Sequence, residues 1–580
     1  MIALCSMYFG AATLWLLSAT AGAQNSTPPV VRNGAIQGIV TEGATGRALG
    51  NVEVWLERPE PPARDPLQRA VRPVEELPYV TVTGPDGRFL LEDTAPGEYR
   101  LFADGDGLLQ QEYGQKSPET RGTVIPVRAG DRLSINFRMR PTGTISGYVL
   151  DEAGEPVPGI PLYAQVFQFR SGKNVLLDLS ELRVSSARRV GSVTPEMGYS
   201  VTDDKGAYRL TGLPPGDYYV VVRHQPGEEV REGFNLIVER DPLAPVYYPD
   251  TLRVDDAVAV GVAGNEVFGV NIRWRAVQPV SVRGELVGFG GDGPPTRFIV
   301  TTPEGAPVPA LSATPVLDAD GRFELLLPPF QSYLLIATKV GTEGYSGMTR
   351  IDIADSDLDG ISVVLQPPVA ISGQILVSSG ADQPDFFQLF VELENGWDGM
   401  GYSGVGSIGT RVQPDGSFRI QRIRRRNGYR LSVENLPEGY YMESAIFGAT
   451  DALKGSLDLT AALPDGILTI RLRSAPGEVT GTVVDAMGDP HAGAKVTLVP
   501  GGIYTDRYDR YKSALTDEEG RFRLEAVPPG PYQIIAWETI AMDAEMNADF
   551  LAPFRGRGRS VRIEQAGTVD IELRIIDEPF

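Results

Sequence analysis

"DGRFLLEDTAPGEYRLFA", Asp86 to Ala103, reads as a strand, a turn and a second strand. Asp-Gly is a tight-turn pair, and glycine tolerates the positive φ that such a turn demands. Phe89 and Leu91 then alternate with Arg88 and Leu90, the two-residue period of a strand. Pro96-Gly97 reverses the chain, with proline setting φ and glycine permitting the bend. Tyr99, Leu101 and Ala103 share one face of the strand that follows.

The same sentence returns four times. It is "DDKGAYRLTGLPPGDYYVVV" from Asp203, "DADGRFELLLPPFQSYLLIA" from Asp318, "QPDGSFRIQRIRRRNGYRLSV" from Gln413 and "DEEGRFRLEAVPPGPYQIIAW" from Asp517. The spacing from turn glycine to tyrosine is 12 residues in Gly87–Tyr99, Gly206–Tyr218, Gly321–Tyr333 and Gly520–Tyr532, and 13 in Gly416–Tyr429. Such a register points to one unit copied five times. In its clearest copies the recurrent residues are Gly87, Phe89, Gly97 and Tyr99; Gly206, Tyr208, Gly216 and Tyr218; and Gly520, Phe522, Gly530 and Tyr532. They are expected to hold shape and carry no chemistry.

Each unit opens on a glycine-centred strand, at Gly38, Gly147, Gly284, Gly373 and Gly481, and ends on an alternating one, such as Leu468, Ile470 and Leu472. About seven short strands per unit is the pattern of a β-sandwich. The fold class expected is all-β: a tandem array of about five small Ig-like or prealbumin-like sandwiches. Pro141, Pro279, Pro367–Pro368 and Pro476 fall at the junctions, where proline ends strand pairing. The divisions are a linker over 24–33 and modules over 34–140, 141–278, 279–367, 368–475 and 476–580. Short linkers imply a semi-rigid string, on the order of 150 Å long if extended. No long amphipathic helix is expected, only a short one around Leu177–Arg189.

The chain has 580 residues and a net charge of −22, which argues against a nucleic-acid backbone or an anionic membrane as partner. Its start, "MIALCSMYFGAATLWLLSATAGA", has an apolar run and an Ala21-Gly22-Ala23 motif, so residues 1–23 read as a signal peptide cleaved after Ala23. A membrane anchor is the alternative, but the run is shorter than the ~20 residues a span needs. Secretion, to the periplasm or the cell surface, follows. Cys5 is the only cysteine and leaves with the signal, so the mature chain has neither disulfide nor thiolate chemistry.

The pattern "GxVxDxxGxPvxGaxV…TDxxGxFxLxxvPPGxYxi" resembles the carboxypeptidase regulatory-like domain. It is carried best by Gly481–Pro500 with Thr516–Trp537, and by Gly147–Leu162 with Thr202–Val222. The third and fourth units depart from it: Phe330 stands at the turn glycine of one, and "RRNGY" replaces "PPGxY" in the other. The resemblance implies a transthyretin-like sandwich, akin to the Cna B-type repeat and to starch-binding-like sandwiches. In that family these modules accompany enzymes, receptors and adhesins and are not themselves catalytic. It also brings the option of a Lys–Asn cross-link, for which Lys495 is the one lysine on a clear early strand.

Catalytic motifs are not found. The two histidines, His224 and His491, lie in different units and cannot complete a zinc set, which takes three protein ligands. No cofactor or metal is expected. "ADSDLDGIS" (Asp355, Asp357, Asp359, Gly360) imitates a calcium loop but reaches Gln366 where glutamate belongs, and reads as a polar turn before a closing strand. The basic run Arg422–Arg430 reads as a charged hairpin end, with an acidic polysaccharide as the other option.

The units differ most between their early strands and the Asp-Gly hairpin, where loops build recognition on a fixed frame. Trp397 and Tyr402 lie in the glycine-rich loop of the fourth unit. Trp55 alternates with Val54 and Leu56 and is expected to point away from the core. Exposed aromatics suit sugar rings or peptides, so these three are the ligand-binding candidates. The function expected is a secreted, non-catalytic scaffold or surface interaction protein. The alternative is a carbohydrate-binding protein. A polysaccharide or another surface or secreted protein is the expected partner.

Overall fold

In the computed structural model, Gly34–Glu42 is flanked on one side by the antiparallel strand Arg88–Thr94 and on the other by the parallel strands Arg132–Ser134 and Phe137–Met139. A second sheet pairs Glu53–Glu57 with Gly97–Asp104, the strand that carries Tyr99. This arrangement repeats four times. The opening strands Gly143–Leu150, Val280–Val287, Val369–Val377 and Gly477–Val484 each sit between an antiparallel hairpin strand and a parallel closing strand. The structure describes residues 33–576 apart from 60–78, 116–121, 171, 182–196, 224–228, 233–234, 239–243, 289–295, 303–315, 319, 340–343, 379–382, 395–406, 438, 462, 464–465, 539 and 542. The proposed signal peptide and most of the linker lie outside them.

Five apolar cores follow one another along the chain, running from Ile36 to Met139, Ile145 to Ile272, Val280 to Leu365, Val369 to Leu472 and Val479 to Leu573. Each fills the space between the two sheets of one sandwich, so the fold is a tandem all-β array. The cores are numbered below as modules 1 to 5. The only α-helix among the described residues is Ala548–Leu551. At the start of the stretch Leu177–Arg189, expected to hold a short helix, Lys173–Asp178 is a strand paired with Pro161–Arg170 and Leu179–Glu181 makes a 3₁₀ turn, while residues 182–189 lie outside the described residues. Pairing to the long strand outweighs the weak helical pattern there.

The recurrent residues have physical reasons in this frame. The turn glycines Gly87, Gly206, Gly321, Gly416 and Gly520 all have φ between 70° and 84°. At the opening glycines, a β-carbon on Gly38, Gly147, Gly284 or Gly481 would overlap the carbonyl oxygen of Ile135, Val270, Ile361 or Ile571, and one on Gly373 would strike the Phe418 ring. The five tyrosines are buried, and each hydroxyl donates to a carbonyl at the start of its own turn: Tyr99 to Ala95, Tyr218 to Pro214, Tyr333 to Pro328, Tyr429 to Arg424 and Tyr532 to Pro528. A buried phenol needs such a partner.

The 12-or-13 spacing also has a cause. Modules 1, 2, 4 and 5 carry a bulge in the hairpin strand, with Asp93, Gly212, Arg422 or Ala526 at positive φ, and module 3 pairs there without a shift. Modules 1, 2 and 5 close the turn over four residues from carbonyl to tyrosine, and modules 3 and 4 over five. A bulge with the short turn, or no bulge with the long one, gives 12. Module 4 has both and needs 13.

Candidate functional site

Two further recurrent polar groups, besides the tyrosine hydroxyls, spend themselves on their own backbone. The turn carboxylates Asp203, Asp318 and Asp517 each accept two amide hydrogens of the turn. Thr83, Thr202 and Thr516, buried, each accept from one backbone amide and donate to one carbonyl, tying the early loop to the sandwich. Sequence reading gave these threonines no role, although Thr202 and Thr516 stand in the quoted pattern beside the turn aspartate.

Trp55 requires a correction. Alternation places it on the face away from Val54 and Leu56, as expected, but it is only 3% exposed. Its ring stacks on Phe102, its cross-strand partner, at 5.3 Å, and its Nε1–H donates to Glu57 Oε1 at 3.0 Å. The nearly buried Arg100–Glu112 ion pair involves the same strand. The outward faces of the tyrosine strands are covered in other modules too: Val221 in module 2, Ile535 and Trp537 in module 5. The signal was present in the continuous apolar runs "LFA", "VVV" and "IIAW", since strands covered on both faces lose their alternation. Trp55 therefore offers no face to a ligand.

Trp397 and Tyr402 lie outside the described residues. The strand that leads to their loop, Phe390–Glu394, packs Val391 and Leu393 into the module 4 core and leaves Glu392 on the other face. Burial pushes the Glu392 carboxyl up to about 7, and the negative charges of Glu434 and Glu394 act the same way against a hydrogen bond from Ser407.

The other charged motifs are engaged internally. Asp357 accepts the Ser281 amide and, with Asp359, pairs with Arg283. In the basic run, Arg425 donates to the Ala461 carbonyl, and Arg426 lies over the Tyr429 ring. Lys495 pairs with the buried Glu545 at 2.7 Å. Among the described residues no group of three or more His, Cys, Asp or Glu side chains is arranged to hold a metal ion. His224 lies outside those residues, and His491 is half-buried beside the module 5 turn.

The long loops of modules 2 and 5 meet. Module 5 carries a second apolar cluster on its outer face, built on Trp537, Leu551 and Phe554, and Phe169 of module 2 packs against it. Phe169 is one residue from the end of Pro161–Arg170, which pairs antiparallel with Lys173–Asp178. Its ring meets Phe550 edge-on at 5.4 Å, and Asn547 Nδ2 donates to the Gly172 carbonyl at 3.0 Å. The hairpin base is held by Arg223, which forks onto the buried Asp178 and lies 4.1 Å over the Tyr163 ring. Module 4 joins the same junction: Arg430 sits 4.1 Å over the Tyr508 ring, and the buried Arg507 donates to the Leu431 carbonyl at 2.7 Å. A straight string would keep modules 2 and 5 apart.

Residues 478–574 match the family model of the carboxypeptidase regulatory-like domain. Module 5 is thus a domain of that type, and the other modules repeat its topology. No curated protein matches the chain. Among solved structures, the minor pilin GBS52 of Streptococcus agalactiae shares 13% identity, covering 42% of this chain and 95% of that one at a TM-score of 0.21. The major pilin subunit BcpA of Bacillus cereus shares 12%, covering 75% and 99% at 0.13. The TIE protein of Bacillus anthracis shares 12%, covering 94% and 73% at 0.13. These likenesses carry no argument about function. Among the described residues no helix is long and apolar enough to cross a membrane.

Proposed function

We propose that this chain is a secreted, non-catalytic scaffold or surface interaction protein made of five sandwich modules, divided near Pro141, Pro279, Pro367–Pro368 and Pro476. The observation that carries the reading is the use of the repeat's polar groups. Among the described residues, turn aspartates, corner tyrosines and loop threonines bind their own backbone, so these recurrent groups are spent on holding shape. The reading includes export, with cleavage after Ala23 and a mature chain that begins at Gln24.

Carbohydrate binding is the second reading, now confined to Trp397 and Tyr402 on the module 4 loop, because Trp55 is covered. One experiment separates the readings. The mature chain and its Trp397→Ala variant are tested on a glycan array and on insoluble polysaccharides. No retention of either protein supports the scaffold. Retention of the parent that is lost in Trp397→Ala overturns it in favour of the lectin-like reading. N-terminal sequencing of the exported protein tests the secretion step: a chain retained in the cytoplasm with Met1 intact rules it out.

A further inference from the structure

Modules 3 and 4 present the same sheet to solvent with opposite charge. In module 3 the opening strand Val280–Val287 is flanked by Arg322–Leu327 and Leu358–Val364. In module 4 the opening strand Val369–Val377 is flanked by Ser417–Ile423 and Leu468–Ser474, with Tyr440–Phe447 beyond. The opening glycines Gly284 and Gly373 put the two faces in one register. Glu324, opposite Arg283, corresponds to Arg419, opposite Ser372, and Glu285 corresponds to Gln374. On the module 3 face the carboxylates of Glu285, Glu324, Asp357 and Asp359 outnumber the guanidiniums of Arg283 and Arg322, and three of the four share Arg283. On the module 4 face Arg419 and Arg471 are exposed, and neither has an ion-pair partner among the described residues. The carboxylates at its margin, Glu443 and Asp451, are already held by Arg473 and Lys454. A basic face is an exception on a chain of net charge −22. Both faces also carry exposed aliphatic side chains: Val287, Leu326 and Val364 on module 3, Leu376 and Ile446 on module 4.

We propose that two copies of this chain pair about a twofold axis, with the acidic face of module 3 in each seated on the basic face of module 4 in the other. Both faces are exposed within one chain, so each is free to take a second copy. A twofold operation that makes one contact makes the other, and the pair closes on itself. The area agrees. Strand spacing and rise give each face roughly 15–20 Å on a side, on the order of 300–400 Å². Two contacts approach the ~800 Å² that each partner gives to a stable interface of ordinary size, whereas one alone falls well short. The opposed charges set orientation and exclude the like-charged pairings, module 3 on module 3 and module 4 on module 4. The aliphatic side chains argue for a protein occupant: an acidic polysaccharide would answer Arg419 and Arg471 but leave Leu376 and Ile446 uncovered, and the module 3 face answers both.

Light scattering on the full mature chain over a dilution series tests this. Arg419→Glu with Arg471→Glu makes both faces acidic, and Glu285→Lys with Asp359→Lys makes both basic. All four side chains are exposed, so circular dichroism and melting should match the parent. The parent is expected to reach twice the mass of one chain as concentration rises. Each double variant alone should stay single where the parent is paired. An equal mixture of the two should pair again, because each then offers the other an opposite face at both contacts. A parent that stays single at every concentration, a double variant that still pairs alone, or a mixture that stays single overturns the proposal. Mass that climbs beyond two copies overturns the closed pair in favour of an open chain of copies. A single parent retained on alginate beads, with retention lost in Arg419→Glu with Arg471→Glu, overturns it in favour of an acidic polysaccharide on module 4.

Discussion

The hydroxyl of Tyr532 donates to the carbonyl oxygen of Pro528 at 2.7 Å, with both groups buried. Burial pushes the phenol up to about 12, so it remains a donor across the physiological range. Tyr532→Phe keeps the ring and strands the carbonyl. The expected loss is about 1–2 kcal/mol from module 5. Local stability by hydrogen exchange on the full chain should show it in Gly530–Trp537 and leave module 1 unchanged. Equal protection in the variant would mean that the corner is packed but not bonded.

Gly481 carries a sterner constraint. The Ile571 carbonyl occupies the space of its β-carbon. Gly481→Ala must push the closing strand Thr568–Ile576 away from Gly477–Val484, and overpacking of this kind costs about 1–3 kcal/mol. Gly488→Ala is the contrast, because open space surrounds that glycine although its φ is +94°. Comparison of the two melts separates backbone strain from steric exclusion, with the larger loss expected at Gly481.

How much of this was legible is best judged from particular residues. The Asp-Gly turns, the opening glycines and the tyrosine register are local features, and sequence alone places them. What escapes is anything set by a partner far away in the chain. Trp55 sits on the face that alternation assigns, yet whether that face is wet depends on Phe102 and on what covers the sheet. The bulge at Asp93 and its absence in module 3 leave no mark on the 12-residue spacing, since turn length compensates. The Phe169–Phe550 contact joins loops that look unrelated, because each is a departure from the repeat and the repeat is what sequence comparison sees. The expectation that function lies where the copies disagree is sharpened here: the irregular loops of modules 2 and 5 are spent on one another.

Trp55 should behave as a core residue. Trp55→Ala removes a stacked ring and a satisfied indole, with an expected cost of about 3–5 kcal/mol to module 1. Iodide quenching gives an independent measure. Trp55→Phe should leave the quenchable intensity of the tryptophan fluorescence unchanged while the total falls, since the missing indole is inaccessible. A marked fall in quenching would restore Trp55 as an exposed ligand-binding candidate.

Glu392 should give module 4 a pH dependence opposite to that of an ordinary salt-bridged carboxylate. Its carboxyl rises from 4.5 in the reference state to about 7 in the fold, chiefly through burial. Between those values the native state holds a proton that the unfolded chain has released. Stability therefore falls as pH climbs from about 4.5 to about 7, and is level on either side. Partial exposure screens the effect, so the expected loss is on the order of 1 kcal/mol. Hydrogen exchange of Phe390–Glu394 in the full chain, read at pH 5 and pH 8 after correction for intrinsic rates, measures it. Glu392→Gln should remove the difference and protect the strand more than the parent at pH 8. A variant that keeps the parent's slope would overturn the assignment of this pH dependence to Glu392.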